Sequence, residues 1–175
     1  LVVWRSGNCR ELTDLVTYVF RALGIPGGCD KMLMRGDKNV AHYWNFVVDG
    51  EDSTYFASIG QSSKQFAKAD TYWDPKGKVY RETFSLNRTM RDACGRDTAD
   101  VPPVFREPLM QDVTAAYAGR INRFLRIPVD SLVLVPREGE TVYLCLSTRG
   151  TWVPVGYGCF EGDTVRIDNV QGDVV

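Results

Sequence analysis

Gly7-Asn8-Cys9-Arg10-Glu11-Leu12-Thr13-Asp14-Leu15-Val16-Thr17-Tyr18-Val19-Phe20-Arg21-Ala22-Leu23-Gly24-Ile25-Pro26 is the stretch from which the rest of the chain is read. Leu12, Leu15, Val16, Val19, Phe20 and Leu23 recur at three- and four-residue steps, the spacing of a helix with one buried face. Asn8 followed by Glu11 reads as an N-cap with a capping box. Gly24, Ile25 and Pro26 read as a left-handed C-cap, its apolar contact back onto Phe20, and a stop.

Cys9 falls in the first turn of this helix, three residues before Leu12, so its side chain is expected along the inward stripe. Unpaired N–H groups and the positive end of the helix dipole favour a thiolate there. The same position also suits a cysteine acting as a small hydrophobe. The helix alone leaves both roles open.

The chain has 175 residues, 44% hydrophobic and 25% charged, enough for one sizeable domain or two small ones. A formal net charge of -1, with acidic and basic residues interspersed, offers no basic field for nucleic acid or anionic lipid. No apolar run reaches the length of a membrane span. The start lacks a signal-peptide pattern and an initiating Met, so the sequence reads as an excised piece. Five cysteines without a C-x-x-C pair, and one histidine, give no zinc-ligand pattern, so neither metal nor cofactor is expected.

After Pro26, residues 29–35 read as a strand and Gly36-Asp37-Lys38-Asn39 as a turn. Ala41-His42-Tyr43-Trp44-Asn45-Phe46-Val47-Val48 alternates as a strand, with His42, Trp44, Phe46 and Val48 on one face. Asp49-Gly50 signals a hairpin returning through 53–59, and this ribbon is expected to pack on the Cys9 helix. A short surface helix is expected within 61–70, a turn at Asp74-Pro75-Lys76-Gly77, and a strand over 78–85. Polar and turn residues then suggest a division: a core over 1–92, truncated at its N-terminus, a linker at 93–103 and a β-rich module over 104–175, cut short at its C-terminus. In that module, runs at 132–135, 142–147, 151–155 and 164–167, spaced by turn signals, predict a small β-sandwich, with Pro154 at an edge or a bulge.

A lone histidine on an apolar strand face fits a satisfied core residue. Paired with a cysteine at the start of the facing helix, it also fits acyl transfer: the imidazole takes the thiol proton and returns it to a leaving amine.

Gly7-Asn8-Cys9, Arg21-Ala22-Leu23-Gly24-Ile25-Pro26 and His42-Tyr43-Trp44-Asn45 resemble the transglutaminase-like superfamily in order, spacing and residue type, over roughly the first ninety residues. The chain is most similar to an uncharacterised Bacteroidetes group in which such a core precedes a β-rich module. The resemblance implies an α+β papain-like core, the Cys9 helix packed on an antiparallel sheet bearing His42, with Cys9 as nucleophile and His42 as base. It also implies a bacterial periplasmic or cell-surface setting.

The sequence departs from that family at the third position, where an Asp about sixteen residues after the histidine orients the imidazole. Counting from His42 gives Ser58, which holds a tautomer but stabilises an imidazolium far less. Asp52 sits beside the turn, on the order of 15 Å from the histidine end of the strand. Trp44 fits either a wall of the thiol cleft or the core. Cys29 lacks an evident base, Cys145 reads as packing, and Tyr55, Tyr72 and Trp73 could line a groove. The first expectation is therefore cysteine-dependent hydrolysis of a peptide or protein amide, cell-wall or glycan-linked substrates included, ahead of crosslinking. The alternative is a weak or inactive scaffold that binds peptide or glycan.

Overall fold

The computed structural model describes residues 6–35, 39–50, 52–56, 65–66, 76–88, 101–118, 122–132 and 141–172. Helix α1 spans Cys9–Leu23 with both expected caps in place. The Asn8 side chain accepts from the Glu11 N–H at 3.1 Å, and the Glu11 carboxylate accepts from the Asn8 N–H at 2.8 Å. Gly24 takes φ +69°, and the Ile25 N–H reaches the Phe20 carbonyl at 2.9 Å. The helix then hands over to strand β1 (Gly27–Met32).

Strand β2 (His42–Asp49) and strand β3 (Asp52–Phe56) form the expected hairpin about Gly50, which sits at φ +62°. Within 61–70 the described residues form strand β4 (Gln65–Phe66) where a helix was expected. Strand β5 (Tyr80–Glu82) and strand β6 (Met110–Asp112) complete a six-stranded sheet in the order β4-β3-β2-β1-β5-β6. Helix α2 (Thr114–Ala118) follows, capped by Asp112, whose carboxylate accepts from the Thr114 N–H at 2.9 Å.

Strand β7 (Asn122–Pro128), strand β8 (Val142–Thr148), strand β9 (Thr151–Glu161) and strand β10 (Thr164–Gln171) form a second sheet, ordered β7-β10-β9-β8. Three of these strands meet the sequence expectation, and the sheets are β-sandwich-like. Pro154 stands at a bulge in the interior strand β9, where the pairing with β8 slips between Leu144 and Cys145.

The expected α+β papain- or transglutaminase-like core is overturned. The fold is β-rich, two antiparallel sheets with two α-helices among the described residues. The physical reason lies in which faces are apolar. A buried cluster of Met32, Trp44, Phe46, Val79 and Tyr117 fills the sheet face turned away from α1. Helix α1 instead lies on the polar face of β2. Its Thr13 carbonyl and Thr17 hydroxyl accept from the Asn45 amide, each at 3.0 Å. Arg10 stacks 5.0 Å from the Tyr43 ring centre. Of the six-residue apolar stripe expected to be buried, Phe20 is buried, whereas Val19 and Leu23 are 46% and 68% exposed. Thr13 and Thr17 are the α1 residues that bond to β2, while Leu12, Leu15 and Val16 are half-buried.

Residues from the two sides of the expected linker share one structure. Strand β6, from the expected β-rich module, pairs with β5. Tyr80, Val101, Phe105 and Met110 form a second buried cluster that Tyr143 and Tyr157 of the other sheet pack against. At the junction, the buried Lys76 N–H donates to the Gln171 side chain at 2.9 Å, and the Gln171 N–H donates to the Gly77 carbonyl at 3.1 Å.

Candidate functional site

Cys9 is the first residue of α1 and is half-buried. His42 opens β2, also half-buried, its ring 5.7 Å from that of Trp44. Contacts of Arg10 with Tyr43 and of Thr13 and Thr17 with Asn45 show α1 and β2 running side by side in one direction. Cys9 and His42 therefore stand at the same end of the helix–strand pair. Side chains alternate along a strand, so His42 belongs with Trp44 and Phe46 to the face opposite α1. The pairing of β1 with β2 agrees: Lys31↔Tyr43 and Cys29↔Asn45 share the helix side, Met32↔His42 and Asp30↔Trp44 the other.

Ser58, and with it Tyr72, Trp73 and Cys94, lies outside the described residues, as does the side chain of Tyr55. Trp44 is 3% exposed, and its indole N–H donates to the Tyr117 hydroxyl at 3.0 Å. Of its two possible places it takes the core. Cys29 is buried, its thiol donating to the Asp30 carbonyl at 3.6 Å, and burial pushes its pKa up to about 12. That thiol stays protonated.

Two charged clusters flank these residues. On the helix side, Glu82 accepts from Arg10 and from Lys31, the latter at 3.0 Å. Burial pushes the Glu82 carboxyl up, but these two cations outweigh it and hold it below its ordinary range. On the other side, the fully buried Asp30 takes two hydrogen bonds from the Arg81 guanidinium, both at 2.8 Å, and a third from the Tyr117 hydroxyl. Arg81 in turn lies 3.6 Å from the Phe46 ring centre. Burial pushes the Tyr117 phenol well above its ordinary value, so it stays a donor. The network ties β1, β2, β5 and α2 together.

A groove of about 560 Å³ lined by polar side chains lies between the two sheets. Its floor is Tyr80, Phe105 and Met110, each less than 9% exposed. The Tyr80 hydroxyl donates to the Val155 carbonyl at 2.7 Å, and Phe105 meets the Tyr157 ring edge-on at 5.4 Å. One wall carries Lys78, whose buried ammonium donates to the Asp112 carboxylate and to the Asp168 carbonyl, the latter at 2.9 Å. Arg166 also lines the groove, paired with Asp168 at 2.7 Å and Glu161 at 3.5 Å.

Strand β10 is bent into this groove. Its pairing with β7 slips between Ile167 and Val170, and Asn169, which lines the groove, takes φ +52°. Asn tolerates the left-handed region better than most residues, and a bulge of this kind re-aims side chains beside binding sites. The signal was present in the sequence: Asp168-Asn169 breaks the alternation of Val165, Ile167 and Val170.

Among the described residues there is no group of His, Cys, Asp and Glu placed to hold a metal ion, and no helix long and apolar enough to cross a membrane. Searches of family models, curated proteins and solved structures return no match for this chain.

Proposed function

We propose that this chain is a peptide-binding module whose site is the groove between the two sheets. The observation that carries the reading is the groove's make-up: an apolar aromatic floor between walls that carry both charge signs. Its volume is within the range of about 300–1,000 Å³ typical of ligand sites. Mixed charge suits a chain that itself presents apolar, acidic and basic groups. A glycan would ask for an open aromatic face, and here Tyr80 and Phe105 are buried, with 4% and 3% of their surface exposed. Nucleic acid would ask for a positive field, which a net charge of -1 does not supply. The test is selection of a phage-displayed random octapeptide library on the whole chain, followed by binding to Arg166→Glu, which reverses a half-buried wall charge. Enriched peptides that bind the variant at least about tenfold more weakly support the reading. An absence of enrichment, or binding indifferent to Arg166, overturns it.

A second reading keeps the thiol. The observation favouring it is that Cys9 and His42 come to one end of α1 and β2, although the His42 side chain belongs to the strand face opposite α1, so the step requires the imidazole to turn round the strand end toward the helix. In that reading the Cys9 sulfur attacks an amide carbonyl, the amine leaves with the proton His42 carried, and water cleaves the thioester, regenerating the thiol. Its test is thiol reactivity, taken up below.

A further inference from the structure

The geometry points to strand addition: an extended peptide segment docks as a seventh strand of the first sheet, on the outer edge of β6. This deepens the peptide reading of the groove and rests on it.

The argument begins with the ladder. The Thr83 N–H donates to the Leu109 carbonyl and the Val113 N–H to the Val79 carbonyl, at 2.8 and 2.9 Å. With Arg81↔Gln111 in register between them, Leu109, Gln111 and Val113 are the residues whose backbone groups face β5. In an antiparallel pair the intervening residues point theirs the other way. The N–H and C=O of Met110 and of Asp112 are therefore directed outward, at an edge that no further strand covers among the described residues, where β6 ends the sheet order. Two residues apart on a strand is about 6.8 Å, the repeat at which an extended partner presents its own N–H and C=O.

The surroundings choose a peptide for this edge. Met110 and Asp112 also line the groove, so a strand laid along β6 enters the apolar floor and runs past the charged walls. On one face, its side chains meet Met110 and the Tyr80–Phe105 floor. The exposed Gln111 alternates to the other face of the strand and also borders the groove. Alternate side chains are read in this way and the backbone supplies the rest, which is how strand addition divides specificity from affinity. The edge is three residues long, so it takes a short segment with one apolar side chain at its centre.

The experiment starts from an octapeptide enriched on the whole chain by the library above, resynthesised with a single N-methyl group at each position in turn. Strand addition predicts a period of two. Methylation at residues bonded to β6 weakens binding about tenfold or more, and at the residues between them less than about threefold. A benzophenone at the central position is expected to crosslink within residues 110–112. Binding that ignores methylation everywhere, that suffers equally at every position, or that crosslinks elsewhere overturns strand addition while leaving a peptide site in place. An absence of any enriched peptide removes the peptide reading itself.

Discussion

The side-chain amide of Asn45 reaches 3.0 Å to the carbonyl oxygen of Thr13, joining β2 to α1 through a polar contact in a fully buried position. The same nitrogen meets the Thr17 hydroxyl at 3.0 Å and the Gly28 carbonyl at 3.2 Å, while the Asn45 Oδ1 is buried with no hydrogen-bond partner among the described residues. Asn45→Ala is expected to cost about 1–3 kcal/mol, part of the loss being offset by removing that stranded oxygen. Thr17→Val, which leaves two of the three acceptors, is expected to cost about 1 kcal/mol or less. Urea unfolding of the two variants checks the order.

Tyr117 stands between an acceptor and a donor, taking the Trp44 indole N–H and giving its own proton to Asp30. Tyr117→Phe keeps the ring but leaves the indole N–H unpaired and one lone pair of a buried carboxylate unfilled. A loss of about 1–3 kcal/mol is expected, measured by thermal or urea unfolding. A change near zero would mean that the network's hold on α2 is apolar.

Glu82 makes stability depend on pH. Its carboxyl is held below its ordinary value of 4.5 in the folded chain, so it adds stability above that value. That contribution is lost as pH falls through the folded pKa. At pH 7 Glu82→Gln is expected to be less stable than the parent by about 1 kcal/mol, discounted for the partial exposure of the cluster. The gap closes below pH 4.5. Urea titrations at pH 7 and at low pH report it, and a gap independent of pH would assign the effect to packing.

Thiol chemistry separates the two functional readings. With its pKa at about 12 and its sulfur buried, Cys29 is expected to resist iodoacetamide at pH 7. If Cys9 is a nucleophile served by His42, it is alkylated faster than the half-buried Cys145 and Cys159, and His42→Ala removes the advantage. Equal rates for the three leave the groove as the functional centre.

Much of the chain was legible where local chemistry sets structure. Asn8 and Glu11, Gly24, Gly50 and the 142–171 hairpins each behave as their residue types dictate. What escaped was the orientation of α1. Periodicity identifies an apolar face but not what it meets, and the Asn45 amide holds Thr13 and Thr17 against the sheet while Val19 and Leu23 stay exposed. The linker expected at 93–103 was a matter of composition, and no composition reveals that β6 returns to pair with β5. The groove was hidden for a related reason: it is assembled from β5, β6 and the β9–β10 hairpin, which are far apart in sequence. Asp168-Asn169 was its one local trace.

The return of β6 to β5 gives the chain an interlocked build. A cut made anywhere between 88 and 101 would yield pieces of which one holds Tyr80 and the other the Phe105 and Met110 that bury it. Expressed separately, each piece would carry a bare apolar surface and tend to clump. Mixed together, they are expected to reassociate through that surface.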